Sequence, residues 1–192
     1  VLLEDDGIGK HYRDLDALRE AYANASVCVD KMAHQNPELN ILEIGAGTGG
    51  ATLPILQSLG GGKEGSTPRF RHYTYTDISP GFFEKAKAKF ENWGHLMTYQ
   101  TLDVSADPMS QGFCDGIYDV VIACNVLHAT SDMSQTMSNI RTLLKPGGKI
   151  LLIEETVSKA RHFPFALLPG WWLANDKVRN EGPLLTVKGW SN

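Results

Sequence analysis

The chain has 192 residues, of which 42% are hydrophobic and 21% charged, and this composition suits a single globular domain with its own core. A net charge of −4 gives no electrostatic reason to expect a nucleic acid or an anionic membrane as partner. No apolar run approaches the ~20 residues of a membrane span and no signal peptide opens the chain, so we expect a cytoplasmic protein.

The first recognisable element is a helix. Apolar residues recur every three to four positions over residues 14–33, which predicts an amphipathic helix. Because this helix precedes the first strand, it could act as a lid over a ligand site. It could equally well be a helix that only packs on the sheet.

Residues 40–50, NILEIGAGTGG, predict a strand followed by a glycine turn, and the apolar residues 51–59 predict the helix that follows. Glycine allows positive φ values and a close approach of ligand to backbone. Spaced as Gly45-x-Gly47-x-x-Gly50, the glycines match a dinucleotide fingerprint. With Glu43 ahead of them they also match an S-adenosylmethionine loop, and a tight turn without any ligand remains a third interpretation.

The rest of the chain alternates strands with helices. Strands are predicted over residues 71–76, 96–102, 118–123 and 149–153, with helices from Ser79 to about Trp93 and over residues 134–144. Phe82, Ala86 and Phe90 fall on one face of the first of these helices, which predicts that they are buried. Residues 145–148, KPGG, end the second helix. This order predicts an α/β fold of Rossmann-like type, a mainly parallel twisted sheet with helices on both faces.

Parallel strands place their carboxyl ends at one edge, where ligands bind in such sheets. The polar residues at the strand ends are Glu43, Asp77, Asp103, Asn125 with His128, and Glu154. We therefore expect these side chains to converge on one crevice.

Three of these side chains are suited to a nucleoside cofactor. Asp77 can accept both hydrogen bonds of a ribose diol, and Asp103 can meet an adenine amino group. Asn125 can hold the amino-acid portion of a cofactor through its carbonyl. Each aspartate could instead be an ordinary turn or helix-cap residue.

His128 and Glu154 are the candidate catalytic pair. A histidine can accept a proton near neutral pH, and a neighbouring carboxylate can fix its tautomer and stabilise its cation. A lone loop histidine is usually structural, whereas a histidine beside a glutamate at a cofactor crevice favours catalysis. The register of the last strand favours Glu154 over Glu155 as the partner.

No metal site is expected, because the other histidines show no ligand spacing. Cys28, Cys114 and Cys124 are far apart and predict buried or partly buried thiols, not disulfides.

The aromatic-rich tail, with Trp171, Trp172 and Trp190, does not form a simple strand–helix unit. It could be a lid, an apolar substrate wall or a packed surface segment. We expect one domain in three parts: a helical lead-in or lid (residues 1–36), a cofactor-binding core (residues 37–158) and the tail (residues 159–192). The missing initial Met suggests a piece of a longer polypeptide.

The motifs LEIGAGTGG, TYTDIS, SPGFFEKAKAKF, YDVVIACNVLHAT and LLKPGGKILLIEE resemble those of class I S-adenosylmethionine-dependent methyltransferases. More narrowly, FFEKAKAKF, NVLHAT and LLPGWW resemble the C-methyltransferase domain of fungal highly reducing polyketide synthases. That class ends in an antiparallel hairpin that completes a seven-stranded sheet, and we expect this chain to lack it.

The resemblance implies S-adenosylmethionine as cofactor and C-methylation of the α-carbon of a β-ketoacyl thioester. The partners would be an acyl carrier protein, whose phosphopantetheine arm carries the acyl chain, and the other synthase domains. It also implies His128 as the base, with Glu154 as its partner. The residues expected at the cofactor are Glu43, Gly45, Ala46, Gly47, Asp77, Ile78, Asp103, Val104 and Asn125.

Three alternatives remain open from the sequence. A free-standing small-molecule O-methyltransferase could use the same His–Glu pair. A nicotinamide reductase fits the glycines, but no Ser/Tyr-x-x-x-Lys pattern lies beside the crevice. A catalytically inactive structural domain of a synthase is the non-enzyme alternative.

Overall fold

The computed structural model describes residues 16–63, 65–156, 169–179 and 182–191. Residues 1–15 of the predicted lead-in lie outside the described residues, and so do residues 157–168, which span the end of the predicted core and the start of the predicted tail. The helices are α1 (Asp16–Gln35), α2 (Thr52–Leu59), α3 (Phe83–Lys89) and α4 (Met133–Leu143). The strands are β1 (Asn40–Ile44), β2 (His72–Asp77), β3 (Met97–Thr101), β4 (Tyr118–Cys124) and β5 (Leu144–Ile153).

The five strands form one sheet in the order β3-β2-β1-β4-β5, and every neighbouring pair is parallel. The predicted Rossmann-like architecture is thereby confirmed. Because β1 lies at the centre, the strand order reverses between β1 and β4. In an open parallel sheet a crevice forms at this switch point, beyond the carboxyl ends of the strands. The expected lack of a C-terminal hairpin stays a prediction.

Both faces of the sheet are covered, as the apolar strands require. On one face Ile41 packs in a cluster with residues of α1, α2 and α3, including Val29 and Ile55. On the other face Leu42 packs with residues of α4, including Ile140. These side chains are at most 1% exposed, and each contributes roughly 1.5–3 kcal/mol by leaving water.

The segment after β2 differs from the single helix predicted up to Trp93. A 3₁₀ turn (Pro80–Phe82), α3 and a second 3₁₀ turn (Glu91–Leu96) follow one another. The tighter 3₁₀ winding at Pro80 changes the phase of the segment. Phe83, rather than the predicted Phe82, is therefore buried beside Ala86 and Phe90.

β5 also begins earlier than predicted. Leu144 pairs with Tyr118, and the register then shifts, so that Lys149 pairs with Val120. The residues 145–148 that were expected to separate helix from strand are thus an irregularity inside β5, with Gly147 at φ 79°.

The cysteine prediction is partly wrong. Cys28 and Cys114 are exposed and only Cys124 is partly buried, although all three thiols are free. Within the described ranges, no helix is both long and apolar enough to cross a membrane. The division at residues 36 and 158 stays a prediction.

Candidate active site

A cavity of about 760 Å³ lies beyond the carboxyl ends of β1 to β4. This volume is within the range of small-molecule and cofactor sites. Every residue predicted to bind a cofactor lines it, namely Glu43, Gly45, Ala46, Gly47, Asp77, Ile78, Asp103, Val104 and Asn125. The convergence expected from the strand ends is observed for this set.

The glycine loop forms one wall of the cavity and is held by its neighbours. Gly47 donates its N–H to Asp77 Oδ2 at 2.9 Å, and Tyr75 OH donates to the Gly47 carbonyl at 2.6 Å. Gly47 has φ 56°, and a Cβ placed there would lie 3.9 Å from the Gly45 carbonyl oxygen, in ordinary van der Waals contact. The backbone is therefore exposed to the cavity, where a bound ligand can approach it closely.

Glu43 is a buried carboxylate at the base of the cavity, 1% exposed. Its Oε2 accepts hydrogen bonds from Thr52 Oγ1 and Tyr73 OH, both at 2.6 Å. Burial raises the pKa of Glu43, and the two hydrogen bonds offset this only in part. A cationic group of a ligand in the cavity would favour the ionised form.

Asp77 and Asp103 both line the cavity while supporting local turns. Asp77 Oδ1 accepts from Ser79 N, and Asp103 Oδ1 accepts from Ser105 N, each at 2.9 Å. Burial raises the pKa of Asp77, although its backbone hydrogen bonds act in the opposite direction. Each carboxylate oxygen has a second acceptor position, so a turn role and a ligand role are compatible.

Asn125 directly follows β4 and has φ 53°, in the left-handed region that non-glycine residues rarely occupy. Its Oδ1 accepts from Glu155 N at 3.0 Å, whereas its buried Nδ2 has no hydrogen-bond partner in the described part of the chain. A buried donor without a partner is costly unless a ligand supplies an acceptor. Together with the open glycine backbone and the buried Glu43, this donor fits a nucleoside cofactor such as S-adenosylmethionine.

His128 and Glu154 are in direct contact. His128 lies in a 3₁₀ turn (Leu127–Ala129) after β4, and its Nδ1 is 2.8 Å from Glu154 Oε2. The other oxygen of Glu154 accepts from Val126 N at 2.9 Å and Leu127 N at 2.6 Å. The carboxylate is 3% exposed and the imidazole 13% exposed. Glu155, the alternative partner, donates its backbone N–H to Asn125 Oδ1.

The pair lies beside the cavity rather than in its wall. Neither His128 nor Glu154 is among the lining residues, although Val126, Ala129 and Thr130 are. The indole of Trp171 covers the imidazole, with ring centroids 5.5 Å apart. One residue of the predicted aromatic tail thus contacts the candidate base.

The structure adds two buried residues that sequence reasoning missed. Arg179 Nη1 donates to the His128 carbonyl at 3.0 Å, and its Nη2 donates to the Thr130 carbonyl at 2.8 Å. The guanidinium is paired with Asp176. These contacts join residues about fifty positions apart, and no motif in the sequence marks them.

Further lining residues come from elements that the sequence analysis did not assign to the cavity. Tyr22 reaches it from α1, and Lys85 and Lys89 reach it from α3. Burial raises the pKa of Tyr22 to about 12. For Tyr22, there was one indication in the sequence: the first helix was predicted either to cover a ligand site or only to pack on the sheet.

No three His, Cys, Asp or Glu side chains are grouped to hold a metal ion within the described residues.

Comparison with known proteins places these observations in a family context. Residues 42–150 match the family described as a methyltransferase domain. The highly reducing polyketide synthase Preu5 of Preussia isomera is 47% identical over 193 residues, which cover 99% of this chain and 8% of that synthase. The chain therefore spans a small part of the curated relatives it matches.

Two solved structures are similar over nearly the whole chain. The CurJ carbon methyltransferase superposes with a TM-score of 0.87 at 37% identity, covering 98% of this chain and 50% of that one. The trans-methyltransferase CalH, solved in complex with SAH, has a TM-score of 0.79 at 41% identity and covers 94% and 52%.

Proposed function

The chain belongs to the methyltransferase domain family and uses S-adenosylmethionine, and from this premise we propose that it methylates the α-carbon of a β-ketoacyl thioester. The thioester would be carried on the phosphopantetheine arm of an acyl carrier protein, beside the other domains of a cytoplasmic polyketide synthase. The similarity to a polyketide synthase and to a carbon methyltransferase supports this substrate class.

The observation that carries the proposal is the short contact between His128 Nδ1 and Glu154 Oε2. With the Nδ1 proton donated to the carboxylate, the lone pair is on Nε2, which can accept a proton from carbon. The carboxylate also stabilises the imidazolium that results. An α-carbon between two carbonyls is acidic enough for a histidine to deprotonate.

The cavity residues supply binding and alignment. Glu43, Asp77 and Asn125 would hold the cofactor, and the glycine loop would let it approach the backbone. Bound in the cavity, S-adenosylmethionine would supply the methyl group from its sulfonium and would leave as S-adenosylhomocysteine (SAH). His128 Nε2 would take the α-proton, and the carbon would form a bond to the methyl group in place of its bond to that proton.

The test is methyl transfer to a synthetic β-ketoacyl pantetheine thioester, with the product analysed by mass spectrometry and NMR. We expect a gain of one methyl group on the α-carbon. In Glu154→Gln the amide NH₂ would face Nδ1 and force the lone pair onto that nitrogen, so we expect a loss of kcat of about a hundredfold or more. His128→Ala should lose activity while still binding SAH.

The matched control is His95→Ala, which removes an exposed histidine in the second 3₁₀ turn. It should keep wild-type activity. A methyl group found on oxygen would support the small-molecule O-methyltransferase alternative. Binding of SAH without any transfer would support the inactive structural domain.

A further inference from the structure

The turn that carries His128 is held on two sides by buried ionised groups. On the amide side, Glu154 accepts from the N–H groups of Val126 and Leu127. On the carbonyl side, Arg179 donates to the carbonyls of His128 and Thr130. Only the first of these groups touches the imidazole.

Arg179 is itself locked in place by Asp176. Its side chain is 0% exposed and that of Asp176 is 4% exposed. Asp176 Oδ2 accepts from Arg179 Nε at 2.8 Å, and Asp176 Oδ1 accepts from the backbone N–H of Arg179 at 2.9 Å. A guanidinium fixed in this way presents its remaining N–H groups in a rigid fork.

The same aspartate anchors the other end of the turn. Asp176 Oδ2 accepts from Met133 N, the first residue of α4, at 2.9 Å. Next to it, Asn175 N donates to the Ser131 carbonyl at 2.9 Å. The backbone from His128 to the start of α4 is therefore tied to one short segment, residues 175–179.

We propose that Arg179, held by Asp176, is a positioning residue that orients the turn carrying His128. This inference rests on the proposed function of His128 as the base. Fixing the carbonyls of residues 128 and 130 fixes the direction in which the imidazole leaves the backbone. A displacement of about 1 Å at a reacting group can reduce a rate about a hundredfold.

The test compares Arg179→Lys with Arg141→Lys in the full chain. Lysine keeps the charge but cannot reach two carbonyls in a fork. We expect Arg179→Lys to lower kcat by about ten- to a hundredfold, with the KM for S-adenosylmethionine and the Kd for SAH within about twofold of wild type. Arg141 is exposed on α4, and Arg141→Lys should match wild type.

A second readout does not depend on activity. The proton between His128 Nδ1 and Glu154 should give a low-field ¹H NMR resonance that disappears in His128→Gln. We expect that resonance to shift or broaden in Arg179→Lys and to stay unchanged in Arg141→Lys. Methylguanidinium should restore part of the kcat of Arg179→Ala, whereas methylammonium should not.

An unchanged resonance together with an unchanged kcat in Arg179→Lys would overturn the proposal. If the Arg179 variants do not fold, Asp176→Asn decides by the same criteria, because it keeps an acceptor for Met133 N. Absence of methyl transfer in wild type would refute the proposed function alone. The resonance would still show whether Arg179 positions His128.

Discussion

At the scale of the residue, Asn125 combines a strained backbone with a side-chain Nδ2 that has no hydrogen-bond partner among the described residues. Its φ of 53° is tolerated because asparagine enters the left-handed region more readily than most residues. Glycine would adopt this backbone without strain. The residue therefore offers a substitution that separates the role of the side chain from that of the backbone.

We expect Asn125→Gly to weaken SAH binding about tenfold, because the buried Nδ2 donor and the bond from Glu155 N to Oδ1 are both lost. The free energy of unfolding should change by less than about 1 kcal/mol, since relief of backbone strain offsets the lost bond. Calorimetry and urea denaturation measure the two quantities. Unchanged affinity would remove Asn125 from the cofactor site.

At Glu43, the ionised side chain that favours ligand binding also lowers the stability of the fold. Burial raises its pKa, so its ionised form destabilises the fold increasingly as the pH rises above the unfolded value near 4.5. We expect Glu43→Gln to raise the free energy of unfolding at pH 7 by about 1 kcal/mol and to weaken S-adenosylmethionine binding about tenfold. The amide oxygen can still accept from Thr52 and Tyr73.

The stability gain of Glu43→Gln should disappear below pH 4, where the wild-type carboxyl is protonated in both states. Glu84→Gln is the matched control, because the Glu84 side chain is 86% exposed. It should change both measurements little. A loss of stability in Glu43→Gln at pH 7 would contradict this account.

At the scale of the element, the side chain of Phe90, which follows α3, restricts which residues can replace Gly49 in the glycine loop. Gly49 has φ 71°, and a Cβ there would lie 2.5 Å from Phe90 Cζ. Phe90 is fully buried after α3 and cannot move aside easily. Gly65 has φ 79°, but a Cβ there would meet nothing within 4 Å.

This pair separates backbone strain from steric overlap. We expect Gly65→Ala to lower the free energy of unfolding by about 1 kcal/mol, the cost of a left-handed alanine. Gly49→Ala should cost about 3 kcal/mol, since overpacking adds to that strain. Urea denaturation measures both, and equal losses would mean that Phe90 rearranges freely.

Some elements were predicted correctly from sequence patterns and others were not. β1 and β4 were predicted because parallel strands that are buried on both faces form continuous apolar runs. The segment after β2 was assigned the wrong buried phenylalanine, because a 3₁₀ start and an α start differ in phase from the first turn. The early start of β5 depends on pairing of Leu144 with Tyr118, which the local sequence does not encode.

At the scale of the whole molecule, the Asp176–Arg179 pair ties the tail to the turn that carries His128 and to the start of α4, and it should make stability sensitive to acid. Although burial opposes it, hydrogen bonds from Arg179 and Met133 N lower the pKa of Asp176 to about 2. A pKa lowered by folding stabilises the protein above the unfolded value near 3.8. This stabilisation is lost as the pH falls towards 2.

We expect the difference in unfolding free energy between wild type and Asp176→Asn to shrink by about 2 kcal/mol between pH 5 and pH 2. Urea denaturation across this range measures it. Asp115→Asn, at an exposed position, should follow the wild-type curve. A constant difference for Asp176→Asn would show that its charge does not contribute.

The cavity lining was predictable, because parallel strands bring their carboxyl ends together at one edge of the sheet. Once the strands are assigned correctly, the polar residues at their ends are known to lie close together. Glu43, Asp77 and Asn125 were found in this way, and so was the pairing of His128 with Glu154. Arg179 and Asp176 were not found, because Arg179 holds the turn through backbone carbonyls of distant residues and Asp176 holds it through the backbone N–H of Met133. Backbone groups are nearly the same at every position, so hydrogen bonds to them cannot be predicted from residue types.

The distance along the chain between Arg179 and the turn it holds has a consequence for biosynthesis. Arg179 Nη1 bonds a carbonyl 51 residues earlier in the chain. A ribosome finishes the residues that line the cavity, which end at Thr130, before it makes Arg179. The nascent domain would therefore be able to bind its methyl donor before the turn that carries His128, the proposed base, is fixed, so cofactor binding would precede catalytic competence.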